Sequence, residues 1–208
     1  MFIQIIQGRC SDADRMHELS DEWRETLGAT AEGWLGGTYG ITDEGEFVAV
    51  VRFESREAAA KNSARPEQGE WWEKMSACFD GEVTFHDCDN AMLFLGGGSD
   101  DAGFVQIIQG RIDDPERFRH FMEQPMDALH EARPEIIGGT IAMEEDGWFT
   151  QTVCFSSEEE ARKGEHKEMP AELSLQYAEE MTSMKDVRYL DLHHPWFGSA
   201  AAAGATLA

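Results

Sequence analysis

The spacing of apolar and polar residues changes several times along the chain, and each change marks a predicted element. Residues 2–7 alternate as a β-strand does, and apolar residues then recur at helical spacing over residues 11–27. Two apolar runs that flank an acidic turn ending in glycine predict a hairpin over residues 34–53. Ser55 begins a second helical region, and residues 83–88 form a last strand. The predicted order is therefore strand, helix, hairpin, helix, strand.

The whole pattern occurs twice. Phe2–Arg9 reads FIQIIQGR and returns as FVQIIQGR at Phe104–Arg111, an offset of 102 residues. Near the end of each copy the offset is 104, because Val83–Asp87 matches Val187–Asp191 after a two-residue insertion in the preceding loop. Similarity that keeps its register over this length indicates a duplicated structural unit.

The order of elements within each copy is the split βαβ arrangement, a four-stranded antiparallel sheet with helices on one face. The other face is apolar and needs a cover, which a second copy of the sheet on a short linker supplies. The sequence predicts an α+β protein in which two ferredoxin-like βαββαβ repeats form an intramolecular pseudo-dimeric α+β barrel, and therefore a monomer in solution. The predicted boundaries are 1–95 for the first repeat, 96–103 for a Gly-rich linker, 104–197 for the second repeat and 198–208 for a disordered tail.

Acidic residues outnumber basic ones, 41 Asp and Glu against 17 Lys and Arg, and the formal net charge is −24. No basic patch is found in either copy, which argues against nucleic acid or an anionic membrane surface as the partner. The sequence has no run of 18 apolar residues, so no membrane span is predicted. Its four cysteines show no paired spacing. Free thiols are typical of a reducing compartment, so we expect the protein in the cytoplasm.

The element order, the acidic start of the first helix and the segment Phe53-Glu54-Ser55-Arg56-Glu57-Ala58 before the second helix resemble a known group of proteins. They are similar to the dimeric α+β barrel superfamily and, within it, to the antibiotic biosynthesis monooxygenase (ABM)-like domains. The resemblance covers residues 2–95 and 104–197. Some members of that family oxidise polycyclic phenols without a metal or cofactor, in a cavity between the sheet and its helices. The resemblance therefore implies a small aromatic ligand and no cofactor.

Another branch of the family binds and degrades haem with an Asn on the first strand and a Trp and a His on the second helix. Here the first strand carries Gln4 and Gln7, and Trp71 or Trp72 matches the helix Trp, but no His follows it. The second copy has Leu173 at that register. The resemblance therefore implies haem only as a minority alternative.

Four residues are the candidates for catalysis. Gln4 and Gln7 lie three apart on a strand, so their side chains point to opposite faces and one of them is expected on the cavity floor beside Trp71. There its amide would polarise a substrate carbonyl. His86, next to Asp87 on the last strand, is a candidate general base.

A further set of aromatic and amide residues is expected to bind the substrate through flat apolar surfaces and hydrogen bonds. Each also has a structural interpretation, because aromatic residues fill cores and buried amides bond across sheets. Two classes of function follow, an oxygenase with a small aromatic substrate and a non-catalytic, stress-associated module that sequesters a hydrophobic ligand. The predicted substrate-binding residues are Trp34, Phe47, Trp72, Gln106, Gln109, Trp148 and Tyr177.

Overall fold

A computed structural model describes residues 1–124 and 126–200 of the chain. The elements in chain order are β1 (Phe2–Arg9), α1 (Ala13–Thr26), β2 (Trp34–Ile41), β3 (Glu46–Phe53), α2 (Arg56–Ser63), α3 (Pro66–Ser76), β4 (Thr84–Cys88), β5 (Asn90–Phe94), β6 (Phe104–Ile112), α4 (Pro115–Met122), α5 (Asp127–Ala132), β7 (Ile136–Met143), β8 (Trp148–Phe155), α6 (Glu158–Glu165), α7 (Ala171–Ser183), β9 (Met184–Leu192) and β10 (Trp196–Ser199). No helix in the described part of the chain is long and apolar enough to cross a membrane.

The strands form two five-stranded antiparallel sheets, in the orders β10-β2-β3-β1-β4 and β5-β7-β8-β6-β9. Four strands of each sheet come from one repeat, and this confirms the α+β class and the two ferredoxin-like repeats. The chain forms two compact units, one from Met1–Asp89 together with the segment that begins at Trp196, and one from Asn90–Pro195. We call them the first and the second unit.

The fifth strand of each sheet comes from the end of the other repeat. β5 follows β4 directly but pairs with β7 of the second sheet, and β10 follows the second repeat but pairs with β2 of the first sheet. Gly198 and Ser199 therefore lie in a strand, and the prediction that a disordered tail starts at residue 198 is wrong there. Residues 201–208 of that predicted tail lie outside the described residues.

Polar side chains set the starts of four helices, as the sequence pattern indicates. Ser55 and Ser157 accept hydrogen bonds from backbone N–H groups three residues later, and Asp114 does the same just before Pro115. The first helix begins at Ala13 rather than at the predicted residue 11, and the side chain of Asp12, not of Ser11, caps it.

The sheet of the first unit has a helix-covered face and an opposite face. Phe2, Gln4 and Ile6 point from β1 towards the helices, where Phe2 packs against the cluster that holds Trp23. Ile3 and Ile5 point to the opposite face and are fully buried as well. A core on the helix side of the sheet is thus available to hold a site, and the cavity described next lies there.

Candidate functional site

A cavity lies in the first unit between the helix-facing side of the sheet and the helices α1, α2 and α3. The space in which the centre of a water molecule can move is about 80 Å³. Aromatic and aliphatic side chains form most of the wall, and none of the residues that line it carries a charge, although 28% of the chain is charged. The lining residues are Gln4, Ile6, Ser20, Trp23, Tyr39, Phe47, Ala49, Val51, Phe53, Asn62, Ser63, Gln68, Trp71, Trp72 and Met75.

The aromatic wall is fixed by packing and by a hydrogen bond between two helices. The indole Nε1 of Trp71 donates to the backbone oxygen of Leu19 at 2.8 Å, which ties α3 to α1. Trp23 packs edge-on against Trp34 with ring centroids 4.9 Å apart, and Phe47 is 1% exposed on the sheet side. Rings held in this way give a flat, preformed surface for an apolar ligand.

Gln4 meets the cavity with a defined end of its amide. Its Nε2 donates to Oδ1 of Asp87 at 2.8 Å, across the β1–β4 pair. A carboxylate accepts hydrogen bonds and does not donate them, so the NH2 group must face Asp87. In the described chain the carbonyl Oε1 of Gln4 accepts no hydrogen bond. Of the two ends of the Gln4 amide, the carbonyl oxygen is thus the one that has no partner in the described chain.

Asn62 and Gln68 are oriented the other way round. Arg65 donates to Oδ1 of Asn62 at 3.1 Å, and Trp23 donates from Nε1 to Oε1 of Gln68 at 2.6 Å. Guanidinium and indole N–H groups only donate, so each amide oxygen is used and each NH2 group is left over. These NH2 groups have no partner within residues 1–124 and 126–200. Asn62 is 6% exposed, so it offers the cavity a buried donor.

Tyr39 lies on the sheet side of the cavity and stacks on Trp196 of β10, with ring centroids 6.3 Å apart. Burial raises the pKa of Tyr39 far above its ordinary value, although the positive charges of Arg52 and Arg24 act in the opposite direction. The phenol is therefore neutral at physiological pH and can donate a hydrogen bond, but it cannot serve as a base there.

The structure brings four of the predicted first-repeat residues together at this cavity, namely Gln4, Phe47, Trp71 and Trp72. Trp34 lies behind Trp23 and is not among the lining residues. Gln7 and His86 point to the opposite face of the sheet, because Gln7 alternates with Gln4 and Ile6 and because His86 pairs with Ile5. The catalytic roles expected of Gln7 and His86 would therefore have to be exercised away from this cavity.

The predicted residues of the second repeat lie in the second unit. Gln106 donates to Asp191 at 2.9 Å, and Gln109 donates to Thr150 at 2.9 Å. Tyr177 packs edge-on against Phe121 with centroids 5.3 Å apart, and the backbone N–H of Trp148 bonds to Asp146 in the hairpin turn. Gln106, Gln109 and Tyr177 thus contact other protein residues through their side chains, and Trp148 does so through its backbone N–H. The substrate-binding roles of these four residues stay predictions.

Sequence reasoning missed Asn62, Gln68, Tyr39 and Ser20 as lining residues. Two of them carried a detectable signal, a polar residue on the apolar stripe of a helix. Asn62 continues the stripe that Ala59 begins on α2, and Gln68 precedes Trp71 and Met75 at helical spacing. A polar side chain on a buried stripe needs a partner, and that need marks it for attention.

Among the residues that the structure describes, no three His, Cys, Asp or Glu side chains come together as a metal site would require. The polar groups that line the cavity are amides, two serine hydroxyls and one phenol.

Three solved structures share this fold over nearly the whole chain. A candidate monooxygenase from Lactobacillus acidophilus has a TM-score of 0.70 at 13% sequence identity, with 96% of this chain and 98% of that chain covered. A candidate monooxygenase from Fusobacterium nucleatum has a TM-score of 0.69 at 7% identity, with 96% and 95% covered. An anthrone oxidase-like protein has a TM-score of 0.60 at 12% identity, with 98% and 96% covered.

No family model and no curated protein matches the sequence. At identities of 7–13% the three similarities establish the fold. The chain therefore shares the fold of monooxygenase-like proteins, which confirms at the level of the fold the resemblance found in the sequence.

Proposed function

We propose that the first-unit cavity binds a small, single-ring phenol and that the protein oxidises it as a cofactor-independent monooxygenase. The observation that carries this proposal is an aromatic-walled, uncharged cavity in which each amide is turned to a defined end by a partner of fixed polarity. The fold shared with monooxygenase-like proteins is consistent with it.

The size of the cavity favours one ring over several. A buried water needs about 10–15 Å³ when space is measured by the positions open to its centre, so about 80 Å³ holds several waters or one small molecule. A space of this size suits a single ring better than a polycyclic phenol.

The proposed reaction converts a phenol and O2 into a quinone and water. One oxygen atom becomes the new ring carbonyl, and the other leaves as water with the hydrogens lost from the O–H and the C–H groups. The ring supplies all four electrons, so no external reductant enters the balance. The free NH2 groups of Asn62 and Gln68 would stabilise negative charge as it develops on oxygen. Asp87 engages one N–H of Gln4 and leaves the second, so the carbonyl-polarising role expected of Gln4 stays a prediction.

Oxygen consumption tests this proposal. Purified protein is supplied with phenol, 4-methylphenol and hydroquinone in turn, and oxygen uptake and quinone formation are measured against samples without protein. We expect one O2 consumed per molecule of product, and a product with a new oxygen atom on the ring, a benzoquinone from either monophenol and a hydroxybenzoquinone from hydroquinone. In Asn62→Ala the kcat should be at least tenfold lower, because one donor to the developing charge is lost. A control variant away from the cavity, Gln151→Leu on β8 of the second unit, should leave uptake unchanged.

A second candidate, passive binding of a small aromatic, is favoured by one observation. Among the described residues that line the cavity, Tyr39 alone is titratable, and its pKa is raised, so these residues offer no general base near neutral pH. Tryptophan fluorescence titrations separate the two functions. Saturable binding with no oxygen uptake for any of the three phenols would establish the binder and reject the oxygenase.

A further inference from the structure

Asp87 is held in place by a second, outer contact. The guanidinium of Arg56 lies 3.2 Å from Oδ2 of Asp87 and also bonds to Asp89, while it stacks over the ring of Phe2 at 4.9 Å. Oδ1 of Asp87 remains directed to Nε2 of Gln4. One helix residue thus orients a strand carboxylate, and that carboxylate orients an amide at the cavity.

The orientation of the amide decides which ligand groups the cavity accepts. Asp87 accepts from one N–H of the NH2 group, and the carbonyl oxygen of Gln4 is turned away from Asp87 without a partner among the described residues. A ligand hydroxyl can donate to that oxygen, whereas a ligand oxygen without hydrogen leaves it unpaired. An acceptor that a bound ligand covers without pairing costs free energy, so a preference for hydroxyl compounds is expected.

We propose that Asp87 is a positioning residue that fixes Gln4 as an acceptor and so makes the cavity select uncharged aromatic hydroxyl compounds over acceptor-only aromatics of similar size. This inference rests on the proposed function, because it concerns the ligand class of the same cavity. The described lining residues carry no charge, so the cavity should also bind uncharged ligands in preference to ionic ones.

The duplication supplies a matched control. In the second unit Gln106 donates to Asp191 at 2.9 Å, and Arg162 contacts Asp191 and stacks over Phe104 at 5.2 Å. The same exchange of carboxylate for amide can therefore be made in each unit, in the same local setting, and only one of the two lies at the cavity described here.

The test compares phenol, which donates, with benzaldehyde, which only accepts, by quenching of tryptophan fluorescence in the full-length protein. We expect wild type and Asp191→Asn to bind phenol at least about tenfold more tightly than benzaldehyde. In Asp87→Asn the new amide can donate to Gln4, so Gln4 can turn its NH2 group to the ligand. The preference should then fall to within about threefold.

The ratio of phenol to benzaldehyde affinity in each variant decides the role of Asp87. A preference in Asp87→Asn that equals the wild-type value would overturn the proposal, as would an equal loss in Asp191→Asn. Should Asp87→Asn not fold, Gln4→Met decides, because it keeps the shape and removes the acceptor, and a retained preference for phenol refutes the idea. If neither compound binds the wild-type protein, the proposed function fails, and that result is distinct from binding without preference, which rejects only the role of Asp87.

Discussion

The two units use the same backbone positions on the helix side of their sheets in opposite ways. At the end of α2 the first unit has Asn62, which lines the cavity with a free donor. The matching residue of the second unit is Gly164, and a Cβ placed there would overlap Oε1 of Glu135. Glu135 is 5% exposed and bonds to Arg133 and Lys167. The second unit thus places an ion cluster where the first has an uncharged amide.

The large side chains that pack on the helix side also differ between the two units. Trp71 of the cavity wall corresponds to Leu173, and Met75 corresponds to Tyr177, both of which pack against the core cluster of the second unit. The two units thus share their sheets, their helix caps and their Gln–Asp–Arg contacts. They differ in the residues between the sheet and the helices. A fold-level repeat therefore does not imply two equal sites.

The largest effect is expected when the ion cluster of the second unit is broken. Glu135→Ala leaves Arg133 and Lys167 beside a buried space without their carboxylate, and we expect the free energy of unfolding to fall by about 3 kcal/mol. Asn62→Ala removes one hydrogen bond and should cost about 1 kcal/mol. Urea unfolding of both variants measures the difference. Equal costs would show that the two positions do not differ as described.

The carboxylate of Glu135 should also make the stability of the second unit sensitive to acid. Although burial acts to raise it, hydrogen bonds from Arg133 and Lys167 lower the pKa of Glu135 below its ordinary value of 4.5. A lowered folded pKa means that this stabilisation is present above the ordinary value and is lost as the pH falls through the folded pKa. Melting temperatures recorded downward from neutral pH should drop more steeply below 4.5 in wild type than in Glu135→Gln. Parallel curves would contradict the assignment.

Filling the cavity should separate binding from stability. Ala49 is 2% exposed and lines the cavity from β3, so Ala49→Leu places a larger side chain in the space. We expect at least about tenfold weaker phenol binding and a melting temperature within a few degrees of wild type, because the cavity receives the added carbons. The matched variant Gln151→Leu should bind as wild type does. Undiminished binding by Ala49→Leu would place the ligand elsewhere.

The smallest effect is expected at the Gln4–Asp87 and Gln106–Asp191 contacts. Breaking either contact should change the free energy of unfolding by a similar amount. The side chains of Arg56 and Asp87 are each more than 40% exposed, and Asp191 is 29% exposed. Asp87→Asn and Asp191→Asn should each change the free energy of unfolding by less than about 1 kcal/mol. The same urea titrations measure both changes. A large change in only one of the two variants would show that the two contacts do not stabilise their units equally.

The strands and their order could be read from the sequence because their signals are local. The hairpin strands β2 and β3 begin and end where the alternation of apolar residues and the acidic turn place them. The strands β5 and β10 escaped prediction because both are short and their partners lie far along the chain. Nothing in residues 90–94 or 196–199 by itself names β7 or β2 as the partner.

The candidate site was predicted in outline and missed in its polar detail. Aromatic residues and a first-strand glutamine were sufficient to place Gln4, Trp71 and Phe47 beside a cavity. Which end of an amide faces that cavity depends on a partner from another element, such as Asp87 for Gln4. Such pairings arise only once the strands are in register, so residue types along one segment do not contain them.

The exchange of the fifth strands has a consequence for the order in which the protein is completed on the ribosome. Every strand of the second sheet has been synthesised once Leu192 has been added, whereas the first sheet waits for Trp196 to Ser199 to cover the edge of β2. A nascent chain that stalls before Trp196 would carry a finished second unit and a first unit with a bare strand edge, which invites pairing with other chains. The half that holds the cavity is thus the first to begin and the last to finish.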